Sequence, residues 1–224
     1  HLVQILLTSI AFDHFLLFYL IYQYLKRYFD LLIVRINNIG NLRFMRAANY
    51  SSMNIFNKDQ VKEINKVITS NFVEGKDDYA VDSNKTSNVN FVNLGKIQRH
   101  IYPFIDFCLT ANNNYFGFDL HPLTSLKKLN YNSYKVGTEY NWHIDAVPGD
   151  PVRDIKLTAL LNLSEEKYDG GELVLFRAKE IICNEFNIPG SAIIFPSFIN
   201  HKVNKIVLGN RHTLAIWLSG PKFR

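Results

Sequence analysis

The sequence predicts an α+β protein whose β part is a jelly roll or sandwich. Two helical patterns lie between residues 57 and 111, where apolar residues recur every three or four positions. From residue 116 onward the period changes to two, and about eight short segments follow with turn residues between them. Because the helices precede an unbroken series of strands, the strands are expected to pair antiparallel within a jelly roll or sandwich.

The first helix is predicted by its cap and its apolar face. Asn57 stands at the N-cap position with Gln60 three residues later, which is the pattern of a capping box. Residues 74–90, which follow the helix, are rich in Asn, Asp and Ser without periodicity, and this predicts a loop. The apolar face of the helix comprises Val61, Ile64, Ile68 and Phe72.

A second helix is predicted up to Ala111, with a kink at Pro103 and an end at the run Asn112-Asn113-Asn114. Its apolar face comprises Ile97, Ile101, Phe104, Ile105, Cys108 and Leu109. The strands that follow are predicted at residues 117–122, 127–136, 140–146, 155–163, 171–177, 191–195, 201–207 and 211–218.

The composition indicates a folded domain and argues against a nucleic-acid partner. Apolar residues make up 47% of the 224 positions, enough for a substantial core in one domain with an appendage. The net charge of +5 is spread along the chain without a dense Lys/Arg run, so no nucleic-acid interface is expected. Cys108 and Cys183 lack zinc-type spacing and are interpreted as buried thiols, which favours a cytoplasmic location.

Residues 1–50 are predicted to be an apolar helical extension to a domain at residues 51–224. Its segment 2–34 is the most apolar of the chain, but Asp13 and His14 lie in its middle, where a membrane span would bury them at high cost. Three interpretations remain open, which are membrane association, a helix packed on the body of the protein, and a dispensable extension.

Two histidines and one carboxylate predict a metal site. His143 and Asp145 are two residues apart in a predicted strand, so their side chains point to the same face. His201 begins a later predicted strand. Two histidines and one carboxylate are the ligand set of facial-triad iron(II) sites, which leave coordination positions open for a co-substrate and O2.

A carboxylate-binding site is predicted beside these ligands. Arg211 lies ten residues after His201, on the same face as Thr213, and a buried guanidinium there could bind a carboxylate through two hydrogen bonds. Tyr134, on the predicted strand before His143, could add its hydroxyl.

Several ordered motifs together resemble the prolyl-4-hydroxylase-like 2-oxoglutarate oxygenases of bacterial and phage type. The segment from Tyr134 to Asp145 is similar to the metal-binding strand of that family, and Asp169-Gly170-Gly171 is similar to its next landmark. The C-terminal signature of the family is matched in order and spacing by Phe195-Pro196-Ser197, His201, Val203, Gly209, Arg211 and Trp217.

The resemblance implies a fold, a site and a reaction. The fold would be a double-stranded β-helix of the cupin-like jelly-roll type, with Fe(II) on His143, Asp145 and His201 and the distal carboxylate of 2-oxoglutarate on Arg211. Leu160 stands where many members place a tyrosine, so the hydroxyl that assists Arg211 is sought at Tyr134, then Thr158 or Thr213.

By resemblance, the reaction would be O2-dependent hydroxylation of a C–H bond with release of succinate and CO2 and with ascorbate as a reductant. A protein or peptide with a prolyl-type side chain is the favoured substrate. Two alternatives remain open, an oxygenase acting on a free small molecule and a jelly-roll binding module that keeps the site without turnover.

Other polar and aromatic residues receive structural interpretations. His100, His121 and His212 have no partner at ligand spacing and are expected at the surface or at caps, with His212 facing away from Arg211. Lys156 and Arg153 are expected to be solvated. Trp142 and Tyr140 are expected either to line the substrate entrance or to pack in the core.

Overall fold

The computed structural model describes residues 49–74, 85–146 and 153–222 and confirms the α+β class. The core is a mostly antiparallel β-sheet structure with the helices near its N-terminus. The predicted apolar segment 2–34 lies outside the described residues. Within the described ranges, no helix combines the length and the apolar character that crossing a bilayer requires.

The helices are α1 Lys58–Thr69, α2 Leu94–Ile97 and α3 Tyr102–Ala111, with a π-helical turn at Asn112–Phe116 and a 3-10 turn at Asn184–Asn187. The strands are β1 Ser51–Asn54, β2 Phe72–Val73, β3 Asn88–Asn93, β4 Lys128–Tyr134, β5 Tyr140–His143, β6 Arg153–Asn162, β7 Asp169–Gly170, β8 Leu173–Arg177, β9 Lys179–Ile182, β10 Ser191–Pro196, β11 Asn200–Val203, β12 Ile206–Leu208 and β13 Arg211–Pro221.

The strands form a large sheet, a small sheet and one isolated pair. The large sheet has the order β1-β10-β6-β13-β4-β3-β2, and the small sheet has the order β5-β11-β8-β9. Strands β12 and β7 pair with each other. Among the described residues, every strand pairing is antiparallel.

The large sheet separates two apolar cores. In β6, Leu157, Ala159 and Leu161 belong to a core shared with the helices. The alternate residues face the other way because side chains alternate along a strand. There the second core joins Tyr134 and Phe195 of the large sheet to Leu175 of the small sheet. We call the space between the two sheets the interior, and the site residues lie there.

The first predicted helix is confirmed with its cap. The backbone N–H of Gln60 donates to Asn57 Oδ1 at 2.9 Å, and the backbone N–H of Asn57 donates to Gln60 Oε1 at 2.9 Å. Val61, Ile64 and Ile68 are buried on the face that the sequence predicts. The capping box therefore sets where α1 begins, and the apolar face packs it on the large sheet.

The second predicted helix is wrong at both ends. Pro103 lies in the first turn of α3 instead of kinking a longer helix, because proline lacks the N–H that an interior position needs but fits the first turn. The helical segment also does not end at Asn112–Asn114, since a π-helical turn continues it to Phe116, with Gly117 as its C-cap. The Asn112 side chain supports this turn by bonding the backbone N–H and C=O of Phe118.

The predicted strand at residues 117–122 is also wrong. Phe118 and Leu120 pack against the helical core, which explains the alternating pattern. The backbone N–H of His121 donates to Ser219 O at 2.8 Å, but no ladder forms around that bond. The segment is thus extended and half-buried without strand pairing.

Several strand bounds also differ from the prediction. Strand β3 begins at Asn88, inside the predicted loop 74–90, because Val89 and Phe91 face inward between exposed asparagines. Strand β9 and the short N-terminal β1 and β2 have no counterpart in the prediction. The predicted strand 140–146 ends at His143, so Asp145 follows the strand.

Two polar residues are more buried than the sequence predicts, Lys156, expected to be solvated, and His212, expected at the surface or at a cap. Lys156 is 3% exposed, and its Nζ lies 3.4 Å from Asp154 Oδ2. His212 faces away from Arg211 as predicted, but it is half-buried and stacks on Tyr131 with the ring centroids 5.6 Å apart. Burial lowers the pKa of His212 below its ordinary value, so the imidazole is neutral at pH 7. Cys108 and Cys183 are buried free thiols, as predicted.

Gly190 and Gly137 allow a matched test of how the N-terminal residues are joined to the sheet. Both have positive φ, but a Cβ on Gly190 would lie 1.9 Å from Phe56 O, whereas a Cβ on Gly137 would meet nothing within 4 Å. Gly137→Ala should lower the free energy of unfolding by about 1–2 kcal/mol, the cost of a left-handed alanine. Gly190→Ala should lower it by more than about 3 kcal/mol because the backbone must also move. Equal losses on urea denaturation would contradict this packing.

Candidate metal centre and carboxylate site

Strand pairing brings the two predicted histidine ligands together. His143 in β5 and His201 in β11 are direct cross-strand partners, so both imidazoles point to the same face. Their ring centroids lie 4.1 Å apart. His143 and His201 are 58 residues apart in the sequence, and pairing of β5 with β11 in the small sheet brings them together.

Asp145 reaches the histidines by a turn of the backbone. Its N–H donates to Ser197 O at 3.0 Å, and the N–H of Ala146 donates to the same oxygen at 3.2 Å. Asp145 Oδ1 lies 3.7 Å from His143 Nε2, and Asp145 Oδ2 lies 3.5 Å from His201 Nε2. The potential ligand atoms of the three residues all lie within 4.8 Å of one another, so they could hold one metal ion.

The outer nitrogen of each imidazole is held by the backbone. His143 Nδ1 lies 2.7 Å from Asn141 O, and His201 Nδ1 lies 2.9 Å from Ile199 O. A carbonyl oxygen can only accept, so each Nδ1 carries the proton and each Nε2 presents its lone pair. This tautomer is the one that a metal-binding histidine requires, and the pattern of outer hydrogen bonds is typical of metal sites.

Thr158 binds the carboxylate from the opposite sheet. Its Oγ1 donates to Asp145 Oδ2 at 2.6 Å, and the residue is 1% exposed. The sequence predicted Thr158 as a candidate partner of the co-substrate beside Arg211, whereas the structure places its hydroxyl on Asp145. The hydrogen bond fixes the orientation of the carboxylate without using Oδ1.

Aromatic rings surround the candidate metal centre. Tyr140 stacks on His143 with the centroids 3.5 Å apart, and Phe195 meets His201 edge-on at 4.8 Å. The His143, Asp145 and His201 side chains are only 10%, 11% and 5% exposed. The ligands are therefore shielded and limited in motion, which favours binding of a metal in a fixed geometry.

Arg211 is a buried cation in the same interior. It is 1% exposed, and its Cζ lies 5.1 Å from the Tyr134 ring centroid and 5.5 Å from that of Phe186. In the part of the chain that the structure describes, Nε and Nη2 have no hydrogen-bond partner and no carboxylate forms an ion pair with the guanidinium. Because a buried charge without a partner is costly, this arrangement indicates a site for an anionic ligand.

Tyr134 stands directly opposite Arg211 and can serve as a neutral donor. The two residues are cross-strand partners in β4 and β13. Burial raises the pKa of the Tyr134 hydroxyl, and the Arg211 charge only partly opposes this effect. The hydroxyl therefore stays protonated at pH 7. Thr213, the third predicted hydroxyl, is buried on the same face of β13, two residues further along.

The structure also shows contributions that the sequence analysis missed. Asn162 Nδ2 donates to Phe186 O at 2.8 Å and to Tyr168 Oη at 3.0 Å, which fixes Phe186 near Arg211. The sequence signal for this role is that Asn162 is a polar residue at the end of the apolar strand β6.

Trp142 lies neither at the ligands nor in a core, since it packs edge-on against Phe176 and beneath Lys202.

A comparison with known protein families matches the region of the candidate site. Residues 129–219, which contain the three candidate ligands and Arg211, match the family model described as 2OG-Fe(II) oxygenase superfamily. Over this stretch the chain is similar to that superfamily. Its family resemblance therefore covers both sides of the candidate site and the strands that join them.

Curated relatives are PKHD-type hydroxylases. The chain is 35% identical over 96 residues to one from Shewanella frigidimarina, an alignment that covers 39% of this chain and 41% of the relative. It is 29% identical over 169 residues to one from Herminiimonas arsenicoxydans, covering 71% and 73%. The chain spans about two fifths of the length of several of the relatives it matches.

Solved structures show the same fold at low identity. A Pseudomonas putida prolyl-4-hydroxylase superposes with a TM-score of 0.58 at 19% identity, covering 78% of this chain and 94% of that one. A Trichoplax adhaerens prolyl hydroxylase, solved with a peptide fragment of a hypoxia inducible factor, superposes with a TM-score of 0.60 at 16% identity, covering 84% and 92%. The likeness between this chain and these structures is one of fold.

The Thr158–Asp145 hydrogen bond can be tested through metal affinity. Thr158→Val keeps the shape of the side chain and removes the donor, so we expect metal affinity to fall about 10- to 100-fold, the range for outer hydrogen bonds to ligands. Titration of the metal-free protein with Co(II), followed by its visible absorption, measures the effect. Thr213→Val is the matched control and should bind Co(II) normally. Unchanged affinity in Thr158→Val would show that the hydrogen bond does not orient Asp145.

Proposed function

We propose that this chain is an Fe(II)- and 2-oxoglutarate-dependent dioxygenase that hydroxylates a C–H bond. The observation that carries the proposal is the buried guanidinium of Arg211, whose Nε and Nη2 have no hydrogen-bond partner among the described residues, in the same interior as a cluster of two histidines and one carboxylate. A metal-binding group and an anion-binding group together match the two needs of such an enzyme. The match of residues 129–219 to the 2OG-Fe(II) oxygenase superfamily model supports the same conclusion.

His143, Asp145 and His201 are the proposed Fe(II) ligands. Both Nε2 atoms are set to bind a metal through their Nδ1 hydrogen bonds, and the ligand types suit ferrous iron. Three protein ligands leave further coordination positions for the co-substrate and O2. When bound, the metal, 2-oxoglutarate and O2 would supply the oxidising chemistry, which yields a hydroxylated product, succinate and CO2, with ascorbate as a reductant.

Arg211 and Tyr134 are the proposed site for the distal carboxylate of 2-oxoglutarate. The unpaired Nε and Nη2 of Arg211 can donate to a carboxylate, and the protonated Tyr134 hydroxyl can add a further hydrogen bond. Phe186 and Tyr134 shield this contact from water, which strengthens it. Thr158 serves the metal side through Asp145, and Thr213 remains a candidate for the co-substrate side.

The order of the strands in the two sheets supports a more specific fold. We infer that the large and small sheets form a double-stranded β-helix, with α1 and α3 packed on the outer face of the large sheet. Successive strands cross between the sheets, as from β4 to β5 to β6 and from β10 to β11, which supports this assignment. The proposed dioxygenase domain is residues 51–224, with residues 1–50 as an extension.

A peptidyl, prolyl-type side chain is the proposed substrate. The names of the curated relatives as PKHD-type hydroxylases and the peptide in the Trichoplax adhaerens structure support this choice. An enzyme that acts on a free small molecule would use the same Fe(II) ligands and the same 2-oxoglutarate site, so a small-molecule substrate remains the alternative. The cytoplasmic location and a membrane role for residues 2–34 stay predictions.

Co-substrate turnover tests the proposed function. Wild-type protein with Fe(II), ascorbate and O2 should release succinate from 2-oxoglutarate, increasingly so with a prolyl-peptide or metabolite that fits the site. Arg211→Ala should raise the KM for 2-oxoglutarate about 10- to 100-fold, the effect of losing a hydrogen-bonded charge pair. Arg211→Lys should raise it less, because an ammonium keeps the charge but not the planar fork.

Metal binding separates this result from a folding defect. Both Arg211 variants should bind Co(II) like wild type, whereas His201→Ala should lose tight binding. A normal KM in Arg211→Ala would place the carboxylate elsewhere. A wild-type protein that binds metal but neither binds nor consumes 2-oxoglutarate would favour a binding module without turnover.

A further inference from the structure

The interior face of the large sheet is organised in successive rows of side chains across β4, β13 and β6. Cross-strand pairing places Tyr134 beside Arg211 in the first row and Trp217 beside Thr158 in the fourth. The second row contains Asn132, Thr213 and Asn162, and the third contains Asn130, Ala215 and Leu160. The first row holds the proposed carboxylate site, and the fourth row adjoins Asp145 through Thr158.

Asn130 presents a buried amide donor in the third row. The residue is 4% exposed, and its Nδ2 has no hydrogen-bond partner among the residues that the structure describes. Its neighbours within the row are Phe91 on one side and Ala215 on the other, neither of which has a polar side chain. A buried amide N–H without an acceptor destabilises the folded state, so such a group in a native protein needs an explanation.

Trp217 presents a second buried donor of this kind. Its indole Nε1 is also buried without a hydrogen-bond partner in the described ranges, and it belongs to the fourth row. In the second row, by contrast, Asn162 Nδ2 donates to Phe186 O, and Asn132 Oδ1 accepts from Lys85 Nζ. Asn130 and Trp217 therefore place donors without partners in the third and fourth rows, toward Asp145.

A co-substrate that joins these two positions must pass the third row. If Arg211 holds one carboxylate of 2-oxoglutarate and the metal centre receives the oxo-acid end, the molecule lies over the rows between them. Ala215, which stands beside Asn130 in the third row, contributes only a methyl group there, so no large side chain of β13 covers the Asn130 amide. The oxo-acid end carries oxygen acceptors and a negative charge, which are what an unpaired N–H requires.

We propose that Asn130 is a further co-substrate-binding residue, whose Nδ2 donates to an oxygen at the oxo-acid end of 2-oxoglutarate. The proposal rests on the proposed function, because it needs 2-oxoglutarate between Arg211 and the metal centre. Asn130 holds the end of the molecule that Arg211 does not reach and so selects for an acceptor there. A carbonyl of the primary substrate offers the same acceptor chemistry. Titration with 2-oxoglutarate in the absence of a primary substrate distinguishes the two ligands.

Calorimetric titration of the full chain loaded with redox-inactive Zn(II) measures binding without turnover. Asn130→Leu should weaken 2-oxoglutarate binding about tenfold, because one hydrogen bond to a charged group is lost. Asn130→Asp, which keeps the shape, should weaken it further because two carboxylates then face each other. Ser133→Ala is the control, since Ser133 lies on the opposite face of β4 and contacts His212.

A second probe and a stability measurement sharpen the test. Glutarate lacks the oxo group, so the preference of wild type for 2-oxoglutarate over glutarate should shrink in Asn130→Leu. Metal-free Asn130→Leu should unfold at a temperature no lower than wild type, because an unpaired buried donor has been removed. A purely structural role for Asn130 would instead lower the unfolding temperature and leave both ligand affinities unchanged.

The outcomes separate this inference from the proposed function. If wild type binds 2-oxoglutarate, Arg211→Ala does not, and both Asn130 variants bind normally, then the Asn130 inference is wrong and the proposed function stands. The Asn130 donor would then be assigned to the primary substrate. If Zn(II)-loaded wild type does not bind 2-oxoglutarate, the proposed function fails, and the inference fails with it. Should Asn130→Leu not fold, Asn130→Asp decides alone.

Discussion

The interior is organised around a guanidinium that the described protein residues do not neutralise. Arg211 is almost fully buried, yet two of its nitrogen atoms have no hydrogen-bond partner in the described part of the chain. Such a charge persists only if the surrounding packing holds it and a ligand compensates it. Tyr134 and Phe186 provide the packing, and Asn162 Nδ2 donates to Phe186 O, which holds Phe186 in place. An anion bound at this position would pair the two nitrogen atoms and offset the cost of burying the charge.

The candidate metal centre depends on both sheets. Pairing of β5 with β11 aligns His143 and His201, and the Thr158 hydroxyl in the large sheet fixes the Asp145 carboxylate. The second apolar core holds the two sheets together and thereby sets the distance between these groups. Because one sheet carries Arg211 and the other carries the histidines, the spacing between the carboxylate site and the metal centre is a property of the core.

Local sequence patterns indicated which residues come together at the candidate site better than they indicated the contacts around those residues. The two-residue spacing of His143 and Asp145 and the ten-residue spacing from His201 to Arg211 are visible in the sequence. The contact of Thr158 with Asp145 is not, because it joins two sheets and depends on the turn after β5. Residues 117–122 were predicted as a strand because a half-buried extended segment and a paired strand share one alternating pattern. Pro103 was ambiguous because a proline can stand in the first turn of a helix or kink a longer one. The asparagines after Ala111 were ambiguous because asparagine can end a helix or continue into a further turn.

The most direct test of this account is the free energy of unfolding of wild type and Arg211→Met, each with and without 2-oxoglutarate. Methionine fills a similar volume without charge, so the ligand-free variant should be at least as stable as wild type. At a concentration one hundred times its Kd, 2-oxoglutarate should stabilise wild type by about 2.7 kcal/mol. The variant at the same concentration should gain little, so the order of stability would reverse. A ligand-free variant much less stable than wild type, with an equal gain from 2-oxoglutarate, would contradict the account and make Arg211 a structural residue.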